Sequence, residues 1–307
     1  MTILAALALV AAAVPPGPLD FAAQTLRTEP KERRAYLHGS VQISRGDFVV
    51  LCDDAVAEFA EDKPARAKPG KGSKKVQKAS TMAPGLLGSE VRHFTLDGHV
   101  RMQRGKRTAE AQHGELDNEA QTLLLTGNGK EDPVLRDGPE TLTGERILLH
   151  LDSEDVNVVH PRLVLRRTVP ETEDKTPSPT RVEASKLFLD RSQQLARFTD
   201  EVVVRRGDMT VRGPLMDARY DKSGEVTRLL LSGGVEMRQG DRRAVAQKAD
   251  YDPRAKELIL TGQPRLFDRG DTLAGDRITV NLDSHEVRVD RAHGLLRPRN
   301  PSATGAR

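Results

Sequence analysis

The chain has 307 residues, room for two domains of ordinary size. Hydrophobic residues are 37%, charged residues 30% and aromatics 3%, with no Trp; this excludes one large globular core and leaves few platforms for stacking on single-stranded nucleic acid. The net charge of +3 is local, because Lys63, Arg66, Lys68, Lys71, Lys74, Lys75 and Lys78 fall in one acid-free stretch; without them the rest stands at −4, which excludes a basic nucleic-acid-binding face.

The N-terminus, MTILAALALVAAAVPPGPLD, carries an apolar run from Ile3 to Val14. A bilayer span needs ~18–20 such residues, so the run suits a secretory signal with a cut after Ala13, although no Lys or Arg precedes it. We expect a signal peptide over residues 1–17, with a weak membrane anchor as the alternative.

From Pro18 the chain is written twice. PLDFAAQTLRTEPKERRAYLHGSVQISRGDFVVLCDDAVAEF lies over TRVEASKLFLDRSQQLARFTDEVVVRRGDMTVRGPLMDARY at an offset of 161, which sets Phe21 on Val182, Leu26 on Leu187 and Phe59 on Tyr220. The block from Asp97 to Gly127 recurs at an offset of 135, with Val100 on Val235 and Met102 on Met237. LTGERILLHLD recurs as LAGDRITVNLD at an offset of 131. The offset changes locate two extra pieces in copy one. One is a basic Lys/Gly/Pro/Ser insert at residues 61–88, whose composition forbids a packed core; it reads as a solvated excursion, with contact to lipid phosphates or a membrane surface as the alternative. The other is four residues within GNGKEDPVLRDGPE. The expected organisation is module 1 at 18–168, a Pro-rich linker at 169–180, module 2 at 181–292 and a flexible tail at 293–307.

Within each copy the apolar period is two. In chain order, SVQI sets Val41 and Ile43 on one face, and HVRM does the same with Val100 and Met102. The Ala-rich TAEAQH sits where the repeat needs a strand. RITVNLD alternates Ile278, Val280 and Leu282 against Arg277, Thr279 and Asn281, and EVRVD presents Val287 and Val289. These spacings predict short antiparallel strands, dry on one face and wet on the other. Arg-Gly-Asp occurs at Arg45, Arg206 and Arg269, each time between two strands, where a hairpin needs Gly at φ > 0; Arg104-Gly105-Lys106 fills the same place without the Asp.

Reactive chemistry is missing from this pattern. Cys52 is the one cysteine, so no disulfide or cysteine-based metal site forms within a chain, and it reads as a small apolar strand residue. The eight histidines are scattered, with no His-x-x-x-His pair, which predicts no metal site. No nucleophile elbow, P-loop or dinucleotide fingerprint occurs. Asp152 and Asp283 recur in L-D-S and read as turn starters. No catalytic residue and no cofactor is expected. A sequence duplicated without reactive groups points to a duplicated surface or groove.

The order G-x-V-x-(I/M)-x-x-G, A-x-A, L-x-L-T-G-x-P, L-x-G-D-R-I-x-x-x-L-D resembles the LptA/OstA-like family of periplasmic lipopolysaccharide-transport proteins. Copy two carries it as GGVEMRQGDRRAVAQKADYD followed by LTGQPRLFDRGDTLAGDRI; copy one departs through its insert and through Asn128-Gly129 in place of Gln263-Pro264. The resemblance runs over nearly all of residues 18–292. It implies an all-β fold of two tandem antiparallel V-shaped β-jellyrolls, a non-enzymatic role, and lipid A acyl chains held inside. It also implies an entrance lined by the first strands, here Val182 and Ala184 and, through the repeat, Phe21 and Ala23. Leu187, Val202, Val204, Val235, Met237, Ile278 and Val280 would continue that lipid-binding lining. The implied partners are lipopolysaccharide and transport proteins of the LptC and LptD type, or further copies of the chain, stacked head to tail by edge strands. Two other readings stand beside it: an envelope scaffold with a solid β core and partner-binding edges, and a carbohydrate-processing β-solenoid, against which three Tyr and no Trp argue.

Overall fold

The computed structural model describes residues 20–60, 91–166, 178–282, 284 and 286–296. The expected leader (1–17) and insert (61–88) lie outside the described residues, as do 167–177 around the expected linker and 297–307 of the expected tail.

Every regular element among the described residues is a strand. Copy one runs β1 (Asp20–Ala22), β2 (Thr25–Glu29), β3 (Arg34–Arg45), β4 (Phe48–Phe59), β5 (Val91–Arg104), β6 (Arg107–Asp117), β7 (Thr122–Thr126), β8 (Val134–Asp137), β9 (Glu140–Thr143), β10 (Arg146–His150), β11 (Val156–Val159) and β12 (Arg162–Leu165). Copy two runs β13 (Thr180–Glu183), β14 (Lys186–Asp190), β15 (Leu195–Arg206), β16 (Met209–Tyr220), β17 (Val226–Gln239), β18 (Arg242–Asp252), β19 (Glu257–Thr261), β20 (Arg265–Asp268), β21 (Asp271–Ala274), β22 (Arg277–Asn281), β23 (Val287–Asp290) and β24 (His293–Leu295). Each strand of copy two starts where the three sequence offsets put it, apart from β13, which starts one residue earlier.

All pairings are antiparallel and sort into two ladders. The first joins β2, β3, β4, β5, β6, β7, β10 and β11, then β14, β15, β16, β17, β18, β19, β22 and β23. The second joins β1, β3, β4, β5, β6, β8, β9 and β12, then β13, β15, β16, β17, β18, β20, β21 and β24. The long strands belong to both. They bend midway, where the register slips between His38 and Val41, Asp97 and Val100, Thr199 and Val202, and Ser232 and Val235. At each of these bends two successive residues take positive φ: Gly39-Ser40, Gly98-His99, Asp200-Glu201 and Gly233-Gly234. Such a bulge turns the strand and re-aims its second half. The short strands break at the same height and cross as β1–β2, β7–β8, β9–β10 and β11–β12, and likewise in copy two. Every rung is thus a V with one arm in each ladder, and alternation sends its apolar side chains into the angle.

The copies are joined by pairing as well as by covalent continuity. β11 pairs β14 over four residues and β12 pairs β13 over four. The expected linker therefore connects two bonded neighbours, with Leu165 opposite Thr180, and Thr180 itself opens β13. At the other end β24 pairs β21 and carries order to Leu295, past the boundary expected at Ala292. Its cause is the repeat, since the offset of 131 places β12 on this segment. Rung tips use the hairpin glycines as the sequence suggested: Gly46, Gly105, Gly207, Gly240 and Gly270 all have positive φ.

Candidate functional site: two apolar rows inside the V

Cross-strand register links the inward side chains into rows. In the first ladder one row runs Leu26, Leu37, Ala55, Leu96, Gly114, Leu125, Ile147, Val158, Leu187, Phe198, Met216, Leu231, Ala249, Leu260, Ile278, Val289. In the second ladder its counterpart runs Phe21, Ile43, Val50, Met102, Ala109, Leu135, Leu142, Leu163, Val182, Val204, Val211, Met237, Ala244, Leu266, Leu273, Gly294. Neither row contains a polar side chain, and neither is interrupted where the copies meet.

The two copies differ in how tightly the second row is covered. From Ile43 to Val182 its members are 1–7% exposed. In copy two Val204, Met237, Leu266 and Leu273 are half-buried, while Val211 and Ala244 remain buried. One step nearer the rung tips, Phe48 is buried in copy one and its counterpart Met209 is half-buried in copy two. Substitution of an aromatic ring by a thinner side chain leaves the interior of copy two more accessible.

Of the residues expected to line a lipid path, Val182, Leu187, Val202, Val235 and Ile278 are buried and hold the two arms together. Ala23, Ala184, Val204, Met237 and Val280 pack against that core half-buried. Phe21 is 54% exposed, because no rung among the described residues lies over it. Alternation in the sequence identifies inward residues; it does not say which of them solvent reaches.

A charged rim borders the rows, and the sequence reading missed it. Arg107 and Asp137 sit opposite each other on β6 and β8, two positions beyond Ala109 and Leu135 on the same face, with Nε–Oδ2 at 3.1 Å. The repeat places Arg242 and Asp268 likewise at 3.4 Å. Next to the first pair, Glu140 is buried and its Oε2 finds no partner among the described residues. Burial, with a further push from the Asp137 charge, raises its carboxyl to about 7. The recurrence of R-x-A-x-A on the strand and of an Asp before the next hairpin was the available signal.

On the outer face the histidines are spent on carboxylates: His99 Nδ1 meets Asp53 at 2.7 Å, His113 Nδ1 meets Asp97 at 2.6 Å, and His38 pairs with Asp54. Among the described residues no group of three or more His, Cys, Asp or Glu is placed to hold a metal ion. Cys52 is buried on β4.

These features define a class: a tandem V-shaped β-jellyroll whose apolar interior is continuous from end to end. The profile of the family described as "LptA/(LptD N-terminal domain) LPS transport protein" matches residues 21–155 and 181–286. The chain belongs to that family, once in each copy of its repeat.

Among curated relatives, the LPS-assembly protein LptD of Pseudomonas syringae pv. syringae is 34% identical over 104 residues, which are 31% of this chain and 11% of that protein. LptD of Pseudomonas fluorescens is 34% identical over 79 residues, 26% of this chain and 8% of that protein. The chain thus spans about a tenth of the length of these relatives. Among solved structures, LptH of Pseudomonas aeruginosa, described as the LptA-homologous periplasmic component of the lipopolysaccharide transport device, aligns with 20% identity and a TM-score of 0.37, covering 39% of this chain and 96% of that one.

Proposed function

We propose that the chain is a non-enzymatic periplasmic bridge that binds lipopolysaccharide by its acyl chains and passes it along the two inner rows between the inner and outer membranes. The observation that carries this reading is the unbroken apolar lining from Leu26 to Val289, which crosses the meeting of the two copies without a polar step. Burying an acyl chain is worth about 0.8 kcal/mol per CH₂, so a fully enclosed 12-carbon chain would be held by roughly 10 kcal/mol, too tightly to move on. A lining that repeats at each rung lets contacts be exchanged like for like, and the half-exposed Val204, Met237 and Leu266 give chains a way in at copy two.

The ends support a second element of the proposal, that further modules of this fold stack on both. Phe21 and Leu26 at one end are 54% and 50% exposed, whereas their repeat counterparts Val182 and Leu187 are 4% and 2% exposed under the preceding rung. At the other end Leu282 and Val287 are 42% and 45% exposed, against 1% and 0% for Leu151 and Val156. The partners would be transport proteins of the same fold, of the LptC or LptD type, or another copy of this chain.

The tight burial of copy one favours a second reading, an envelope scaffold with a solid core. Photo-crosslinking from Val204, Met237 and Leu266 in cells separates them. Lipopolysaccharide adducts at these sites, with none at outward Arg228, support transport; adducts with protein alone reject it in favour of the scaffold.

A further inference from the structure

A cleft recurs on the outside of both copies, where the outer face of the second ladder meets the bend. In copy one it holds about 770 Å³ and is lined by Leu51, Arg101, Glu110, Val134 and Arg162, among others. In copy two it holds about 630 Å³, and the repeat turns the first four of those positions into Arg212, Glu236, Val245 and Arg265, with Arg243 and Phe267 beside them. Register makes Arg212, Glu236, Val245 and Arg265 one row across four strands.

The two clefts differ in charge: the lining of copy one balances Arg101, Lys130 and Arg162 against Glu110, Glu131 and Asp132, whereas that of copy two sets Arg212, Arg243 and Arg265 against Glu236 alone. In copy one both arginines are neutralised: Arg101 donates to Glu110 at 2.8 Å and Arg162 pairs with Asp132. In copy two the one carboxylate, Glu236, already accepts from Arg238 at 2.7 Å and Arg243 at 2.8 Å, and those two hydrogen bonds hold it well below the usual carboxylate range. Arg212 and Arg265 are exposed and meet no acid among the described residues. Most other arginines of this ladder's outer face have one. Arg243 is further fixed by the Phe267 ring, 5.7 Å from its guanidinium carbon to the ring centre.

Arg212 and Arg265 stand about 14 Å apart at three strand spacings, and their long side chains flank the cleft from opposite sides. Planar guanidiniums with unused donors, at the two ends of a row that lines a concavity with a net positive charge, match a phosphate that offers several acceptor oxygens. We propose that the outer cleft of copy two is a binding site for a phosphate-bearing anion, with Arg212 and Arg265 as its free donors and Arg243 as a third cation held in place by Glu236 and Phe267. Copy one lacks the site, because Leu51 and Val134 stand at the positions of the two free arginines.

The test uses the full chain, titrated calorimetrically with inorganic pyrophosphate, with lipopolysaccharide and with dephosphorylated lipopolysaccharide. The expected result is saturable pyrophosphate binding, weakened at least ten-fold in R212Q/R265Q and unchanged in R101Q, with the thermal midpoint of every variant recorded to confirm folding. Lipopolysaccharide binding tighter than pyrophosphate, and tighter than its dephosphorylated form in the wild type but not in R212Q/R265Q, assigns the site to a lipid head group. Pyrophosphate binding without that difference assigns it to a free anion; both support the site. Heat that never saturates, or an equal loss in R101Q, overturns it. The cleft lies outside the V, so loss of this site leaves the crosslinking result at Met237 unaffected, and the two proposals fail separately.

Discussion

Leu163 of β12 lies directly opposite Val182 of β13, and with that pair the first copy of the repeat hydrogen-bonds to the second. Leu163 is 3% and Val182 4% exposed. The contact is a rung-to-rung step like those within each copy, so the molecule already contains one instance of the stacking proposed for its ends. Repeat-equivalent residues then form internal controls. Leu187→Ala removes a side chain buried between copies and is expected to cost ~2–5 kcal/mol. Leu26→Ala, at the same repeat position on the open end, should cost under ~1 kcal/mol. Urea unfolding of both variants checks the pair; equal losses would mean that the described end is covered in solution.

Glu140 gives a pH signature. Its carboxyl sits at about 7 in the folded chain against an ordinary value of 4.5. The folded state therefore keeps a proton that the unfolded state releases. The group's contribution is fully favourable below about 4.5, falls as pH rises through that window, and is lost above about 7. Glu140→Gln keeps the shape without the charge. It should raise stability by ~1–3 kcal/mol at pH 8 and leave it nearly unchanged at pH 4.5, as read from denaturant midpoints.

Cys52 should be inert while the chain is folded. Burial, reinforced by Asp53, Asp54 and Asp97, pushes its thiol up to about 12. A thiol reagent at pH 8 is expected to label it only after denaturant is added, which mass spectrometry can follow. Rapid labelling of native protein would show that the two arms open at β4.

Val287 lies in the open edge β23, 45% exposed where Val156 is fully buried. A charge there, Val287→Asp, should leave the thermal midpoint within ~0.5 kcal/mol of wild type in equivalent terms, because no described rung covers it. It should also abolish concentration-dependent association in sedimentation velocity, if this edge receives the next module. Unaltered association would remove the C-terminal edge from the stacking proposal.

Much of the fold was legible because two independent regularities coincide. Alternation marked Ile278 and Val280 as inward, and the duplicated spacing put each strand of copy two on its counterpart. The hairpins at Gly46, Gly207 and Gly270 were equally readable, since Gly at a two-strand corner has a backbone reason. The pairing of copy one with copy two was not readable. An edge strand has the same period whether or not a neighbour bonds to it, so residues 169–180 read as a separator although Leu165 and Thr180 are opposed. For the same reason Val287 and Leu282 read as dry although no described rung covers them. The bend at Asp200-Glu201 carries no glycine to announce it. The rim pair Arg107–Asp137 joins residues from β6 and β8 that alternation alone would leave as unrelated surface charges.

The strands lie across the long direction of the molecule, so the direct link from one end to the other is made of inter-rung hydrogen bonds and side-chain contacts. A pull on the two ends would load every boundary in series and draw each along its bonds. The step between copies, with four residue pairs in each ladder, matches the step from β9 and β10 to β12 and β11, which has three and four. Tension would therefore find no special fault at the duplication, and a tether strung between two anchored bodies could yield at several places with similar ease.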